Sequence, residues 1–139
     1  MKIFCKIKII EDNNLVMNDV CTGRLCLKNS FHLYYKHLVA LKKMTIDQNT
    51  AIVTLTHDPK LDDPALEYSL NTNAFYIGCL GSKKTHDSRI LRLKKKGINE
   101  EQLKKLNGPI GLNIGAKTPS EIAISIISQI ILFKRTVNA

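Results

Sequence analysis

The sequence predicts an α/β fold built on a parallel sheet, and three stretches carry that prediction. Ala51-Ile52-Val53-Thr54-Leu55 is a compact β-branched run with little that is polar, as in a central strand buried on both faces. Ala74 to Ile77 is a second short apolar run, which stops at Gly78 and reaches Ser82 where a helical pattern begins. Between the two, Asp63 before Pro64 reads as an N-cap followed by proline at the first helical position, opening a short helix to about Leu70. Strand, helix and strand in so few residues make a βαβ unit, expected to be right-handed.

The remaining elements follow in order. Ile3, Ile7, Ile9 and Ile10 fit a strand, and Glu11-Asp12-Asn13-Asn14 fits a turn. Residues 15–30 show no firm period, so residues 1–31 form a poorly readable N-terminal segment. From His32 to Lys43, Leu33, Tyr34, His37, Leu38 and Leu41 fall at helical spacing. Asn71-Thr72-Asn73 turns the chain into the second strand. Beyond Ser82, Ile90, Leu91 and Leu93 face a core from a helix that otherwise carries Arg89, Arg92 and lysines. Lys94-Lys95-Lys96 end it before Gly97, where cations offset the helix dipole. Asn99, with Glu100, Glu101 and Gln102, starts a short capping-box helix to Leu106. Asn107 to Lys117 is a glycine-punctuated loop. The last helix is the best defined: Thr118 caps it, Pro119 takes the first turn and Glu121 completes a capping box. Ile122, Ala123, Ile126, Ile127, Ile130 and Ile131 form a broad apolar stripe, interrupted on the other side by Glu121, Ser125, Ser128 and Gln129, as for a helix packed on a sheet.

At 139 residues the chain reads as one domain, and 44% hydrophobic with 24% charged residues is ordinary for a soluble globular protein. No apolar run approaches the ~20 residues that span a bilayer, and lysines break up the N-terminus where a signal peptide would need an apolar core. A cytoplasmic protein without membrane partners is expected. The net charge of +9 is uneven: residues 51–80 carry −3 and residues 81–139 carry +8. Such a basic half attracts anionic ligands or nucleic acid.

The turn from Gly78 to His86 concentrates the chemistry. Glycines at a strand-to-helix turn let the backbone approach a ligand, and free N–H groups at the helix start face an anion. Gly78, Gly81, Ser82, Lys83 and Lys84 therefore outline a pocket for a phosphate or similar group, with Thr85 and His86 as helix-start caps first and ligand contacts second. His57 and Asp58 lie just beyond a strand end, where α/β folds place ligands. With Asp62, Asp63 and His86 they suit a divalent metal or acid–base chemistry. Capping and turn roles weigh equally for His57 and Asp58, and more for Asp62 and Asp63. Gly108, Gly111 and Gly115 read as a backbone-shaped loop lining the same face. The four cysteines lack zinc spacing, and Cys79 beside the turn reads as a small packed residue. No nucleophile triad order or Walker loop is present.

Four stretches in order resemble a known family. They are Thr56-His57-Asp58-Pro59-Lys60-Leu61-Asp62-Asp63-Pro64-Ala65-Leu66, Phe75-Tyr76-Ile77-Gly78-Cys79-Leu80-Gly81-Ser82-Lys83-Lys84-Thr85-His86, Gly108-Pro109-Ile110-Gly111-Leu112-Asn113-Ile114-Gly115-Ala116 and Thr118-Pro119-Ser120-Glu121-Ile122-Ala123. Together they resemble the C-terminal Rossmann-like domain of the XdhC/CoxI family, maturation factors for molybdenum hydroxylases such as xanthine and carbon monoxide dehydrogenases. The resemblance runs from about His32 to Arg135 and is dense from Thr50 onward. It implies a Rossmann-like three-layer parallel sheet over residues 32–139. It also implies an accessory protein, a cofactor chaperone rather than a catalyst. Such a protein binds the molybdenum cofactor, protects it while its sulfur ligand is installed, and passes it to the apo-enzyme. The implied partners are the hydroxylase apo-enzyme and a sulfurating enzyme.

Two departures from the family pattern shape the expectation. The N-terminal domain usual in full-length members is not in this chain. The dinucleotide-type glycine loop that opens such domains is missing as well, since residues 1–50 hold only Gly23. The sheet is therefore expected to be incomplete, with its first glycine-rich βα unit missing or degenerate, which argues against NAD(P) binding. Uncovered edges and apolar surface would favour a homodimer or a partner chain that supplies the missing half. Two other functions compete: a nucleotide- or dinucleotide-binding Rossmann module of an oxidoreductase, and a basic nucleic-acid-binding protein. The last lacks the aromatic platforms of single-strand binders, with no Trp and 6% aromatics.

Overall fold

The computed structural model describes residues 4–11, 14–21, 37–56 and 58–137. Among the described residues, ten elements run in the order β1 (Phe4–Glu11), β2 (Asn14–Cys21), α1 (His37–Lys42), β3 (Thr50–Thr54), α2 (Pro59–Leu70), β4 (Tyr76–Cys79), α3 (Lys83–Lys95), α4 (Glu100–Leu103), β5 (Leu106–Asn107) and α5 (Pro119–Val137). The sheet order is β2-β1-β3-β4-β5. The β1–β3, β3–β4 and β4–β5 pairs are parallel and β2 runs antiparallel to β1. The expected βαβ unit is present as β3–α2–β4.

Side chains alternate across the central strands, as the two-residue period of a strand requires. Ile52, Ile77 and Cys79 face α1 to α4, where Leu41, Leu66, Leu70, Leu93, Ile98 and Leu103 complete one core. Ala51, Val53 and Tyr76 face α5 and pack with Ile110, Ile126 and Ile130 in the other. The result is the expected helix–sheet–helix layering. Tyr76 stacks edge-on to Phe133 with ring centroids 5.4 Å apart. Its phenol donates to Gln129 Oε1 at 2.5 Å, and burial pushes its pKa well up, so it stays a donor. At the far end of α5, Lys134 donates to Asn49 Oδ1 at 2.6 Å and to the Gln48 carbonyl at 3.3 Å, which ties the helix to the turn before β3.

Several boundaries differ from those the sequence predicts. α2 starts one turn earlier than expected: Asp58 accepts from the Lys60 N–H at 2.8 Å and Pro59 opens the helix. Pro64 is then inside α2, where it lacks the N–H that would reach the Lys60 carbonyl. β4 is shifted two residues onward, so Gly78 lies within the strand instead of ending it. The Asn99 capping box forms as expected, but α4 stops at Leu103, and Leu106–Asn107 is a short strand beside β4. On α3, Leu91 points to solvent and Arg89 is buried, the reverse of the expectation.

The N-terminal hairpin is the largest difference. β1 bears out the strand expected around Ile7 to Ile10, while β2 was not foreseen. The pair closes the flank of β3 that a missing first βα unit would have left open. Residues 12–13, 22–36 and 57 lie outside the described residues. That places Gly23, the start of the helix expected from His32, and the two central residues of the expected turn at Glu11–Asn14 beyond description.

α5 buries a narrower stripe than its sequence predicts. Ile126 and Ile130 enter the core, whereas Ile124, Ile127, Ile131 and Leu132 are exposed. Ser125 and Gln129, expected on the outer side, instead lie inward. Ser125 is buried and donates to the Ile122 carbonyl, and Gln129 receives bonds from Tyr76 and from the Gly111 N–H at 2.8 Å. A sheet-facing helix needs only a stripe about 100° wide, and here polar residues with partners occupy part of it. No helix among the described residues is long and apolar enough to cross a membrane.

Candidate functional site

The carboxyl ends of β3 and β4, with the loop after β5, form one mouth. Parallel pairing sets it: Thr54 lies beside Cys79 and Gly78 beside Asn107. The Leu80 N–H continues the ladder to the Thr54 carbonyl at 2.9 Å, and the Ile110 N–H reaches the Cys79 carbonyl at 3.1 Å. The chain then leaves the sheet through Gly81.

Gly81 has φ +142°, a conformation side chains rarely adopt, and a Cβ there would sit 3.1 Å from Thr85 Cγ2. Ser82 is the N-cap of α3. Its hydroxyl accepts from the Thr85 N–H at 3.2 Å and lies 2.9 Å from the Thr85 hydroxyl, and its carbonyl accepts from the His86 N–H at 2.9 Å. Capping thus consumes the amides of Thr85 and His86. The amides of Gly81, Ser82, Lys83 and Lys84 have no partner among the described residues. The Lys83 and Lys84 side chains are exposed and make no ion pair among the described residues.

Beneath this turn lies a buried polar cluster that the sequence did not reveal. Arg89 is 3% exposed; its Nη2 donates to the Leu80 carbonyl at 3.0 Å and lies 3.7 Å from Asp62 Oδ2. Asp62, 1% exposed, accepts from the Thr56 hydroxyl at 2.7 Å. Nε and Nη1 of Arg89 are buried without a partner among the described residues. One position over, Arg92 grips Asp63 with both ends, at 2.6 and 3.1 Å. Asp62 and Asp63 therefore clamp α2 to α3. Among the described residues no group of three His, Cys, Asp or Glu side chains is placed to hold a metal.

The other expected residues scatter in role. Asp58 is exposed and caps α2, while His57 lies outside the described residues. Gly78 makes room for packing: a Cβ there would meet Ile110 Cδ1 and the Tyr76 hydroxyl at 2.7 Å. Gly111 has φ +97° and fits against α5, where a Cβ would lie 2.4 Å from Ser125 Oγ. Gly115, exposed at φ +72°, has nothing within 4 Å of its Cβ position. Gly108 does belong beside the mouth, because the His86 ring lies flush on it; a Cβ would come within 2.0 Å of Nδ1. Cys79 is packed, as expected. Burial pushes its thiol up to about 12 against the opposing pull of Arg89, so it is not a nucleophile near neutral pH.

His86 Nδ1 is buried without a partner among the described residues. Burial first, and the Arg89 charge second, lower its pKa below the usual 6.5, with Asp87 opposing. Below pH 6.5 the unfolded chain takes up a proton that the folded ring resists, so this contribution is complete above that value and fades as pH falls. Between about pH 7.5 and about pH 5.5 the denaturant midpoint is expected to drop less in His86→Gln than in the parent chain. Equal drops would show that His86 is not held neutral.

A family model described as the XdhC Rossmann domain matches residues 7–130. The chain belongs to this family. The match begins within β1, ahead of His32. The XdhC Rossmann domain here is 31% identical over 85 residues to the molybdenum cofactor insertion chaperone PaoD of Escherichia coli, covering 61% of this chain and 27% of PaoD. It is 32% identical over 87 residues to a probable xanthine dehydrogenase subunit of Bacillus subtilis, covering 63% of this chain and 24% of that protein. A crystal structure titled as a xanthine dehydrogenase from Bacillus halodurans superposes with a TM-score of 0.61 at 33% identity, over 75% of this chain and 29% of that one. The chain thus spans about a quarter of the length of these relatives.

Proposed function

We propose that this XdhC Rossmann domain is an accessory module for a molybdenum hydroxylase of the xanthine or carbon monoxide dehydrogenase type. It holds the molybdenum cofactor through an anionic group at the Gly81–Lys84 mouth, for protection and insertion. The observation that carries this reading is the run of four backbone amides without partners among the described residues, at a left-handed glycine and a helix start. The name of the PaoD relative supports the choice of cofactor.

The residues present fit a phosphate better than a metal. Backbone donors, the α3 dipole and the Lys83 and Lys84 ammonium groups all favour a negative oxygen cluster. The cofactor's own dithiolene holds its molybdenum, so the protein need not ligate the metal through this mouth. Ser82 spends its hydroxyl on the cap and thereby keeps the first turn rigid. The apo-hydroxylase and a sulfurating enzyme are the partners this role requires, and the setting is the cytoplasm. A second copy or a separate chain is part of the same reading, although the β3 flank is already paired by β1.

The nucleic-acid alternative is weakened by where the charges go. Arg92 pairs with Asp63, Lys94 with Glu100 and Lys96 with Glu67, so much of the basic half of α3 is already neutralised. Purified chain is expected to bind molybdenum cofactor in preference to NAD and to a DNA oligomer. Gly81→Val and Lys83→Glu should each weaken that binding by about tenfold or more, the scale of losing roughly 1.4 kcal/mol. Preference for NAD would overturn the chaperone role. Unchanged affinity in both variants would move the site elsewhere.

A further inference from the structure

The buried guanidinium of Arg89 is engaged through Nη2 alone, by the Leu80 carbonyl and Asp62. Its Nε and Nη1 hydrogens have no partner among the described residues, although the side chain is 3% exposed. Salt links that serve stability alone rarely leave donors unmet, whereas functional sites tolerate such arrangements. The position is informative too. Side chains on a helix lean toward its N-terminus, and Arg89 runs back under the first turn of α3 until Nη2 lies 3.8 Å from where a Gly81 Cβ would be. There it draws the Leu80 carbonyl inward at 3.0 Å. The peptide joining Leu80 to Gly81 is trans, so its N–H points opposite to its carbonyl and away from Arg89 Nη2.

We propose that Arg89 is the positioning residue of the mouth and its fixed cation: it turns the Gly81 N–H outward and places a buried positive charge beneath the site, which selects a phosphate-bearing ligand. This rests on the reading of the mouth as an anion site. Arg89 touches no ligand in this arrangement; it acts through the Leu80 carbonyl and through its field. Asp62, 3.7 Å away, partly offsets that field, and the Thr56 hydroxyl holds the offsetting carboxylate in place. The two halves of this ion pair therefore act on the ligand with opposite sign, a property that a purely structural link lacks.

The test is a titration of the full chain with inorganic pyrophosphate, followed by amide shifts of Gly81, Lys83 and Lys84. Arg89→Gln is expected to weaken binding roughly tenfold, with partial recovery in Arg89→Lys, which restores charge without the fork. Asp62→Asn keeps an oxygen for the Thr56 hydroxyl and removes the offsetting charge, so binding should tighten by roughly threefold. If Arg89→Gln does not fold, Asp62→Asn decides alone: tighter binding supports the proposal, while weaker or unchanged binding overturns it. If Gly81→Val abolishes the shifts but both halves of the pair weaken binding, the mouth stands and the role of Arg89 falls. No response at these amides in the parent chain would remove both.

Discussion

Ile126→Pro is expected to abolish the folded state. Ile126 is the eighth residue of α5, 9% exposed, in the core with Tyr76, Ile110 and Ile130. Proline there removes the N–H that bonds the Ile122 carbonyl and drives its ring into that carbonyl, at a cost of about 3 kcal/mol or more. The lost side chain removes roughly another 2 kcal/mol of burial. Among the described residues α5 is the only helix in that core, and the kink would also displace Gln129 and Lys134, which tie it to Tyr76 and to the Gln48–Asn49 turn. Against a total of about 5–15 kcal/mol for a domain, such a loss is decisive. Circular dichroism should show no cooperative unfolding transition in Ile126→Pro. Ile126→Ala, costing about 2–4 kcal/mol, should keep a lowered one. A cooperative native-like transition in the proline variant would contradict the place given to α5.

Gly78→Val is expected to cost roughly 3 kcal/mol, read as a lower midpoint in urea, while leaving the ligand mouth unchanged in any molecules that fold. The new side chain would begin 2.7 Å from both Ile110 Cδ1 and the Tyr76 hydroxyl. Neither neighbour yields freely, because the phenol is bonded to Gln129 and the buried Ile110 side chain meets the new group with Cγ1 as well as Cδ1. The sequence places Gly78 with the ligand glycines, whereas the geometry places it in the α5 core. Comparing the two sites separates these roles. Gly81→Val should reduce affinity first, and Gly78→Val should reduce stability first. A Gly78 variant with the parent midpoint but lost affinity would return Gly78 to the site.

The contrast shows which parts of the molecule were legible in the sequence. Local chemistry was: the Asn99 box and the Thr118–Glu121 box each involve residues three apart, and both form as expected. Where the same signal occurs twice, sequence cannot choose. Asp58-Pro59 and Asp63-Pro64 both look like helix starts, and the ion pair from Arg92 to Asp63 belongs with the earlier one. β2 carries Asn18 and Asp19 and has no clean alternation, and its strand state comes from pairing with β1.

Arg89 was missed for a different reason. A basic residue among lysines reads as solvated surface, and nothing local says that Asp62 waits across the crevice. The available signal is periodic: His86, Arg89 and Leu93 fall on one helical face, and Leu93 reads as a core residue. The Gly81 turn and its Ser82 cap are legible because glycine, serine and helix start are contiguous. The buried Arg89–Asp62 pair beneath them is not, because it joins residues 27 positions apart.

The packed thiol of Cys79 gives this protein an internal gauge. A fully buried sulfur at the carboxyl end of β4, its thiol pushed up to about 12 by burial, is shut off from alkylating reagents until the strands part. Its modification rate, read by mass spectrometry at that one peptide, therefore counts opening events rather than surface collisions. Substitutions that leave the charges of Arg89 and Asp62 beside the thiol in place can be ranked on that scale under native conditions, without denaturant and without a ligand in hand.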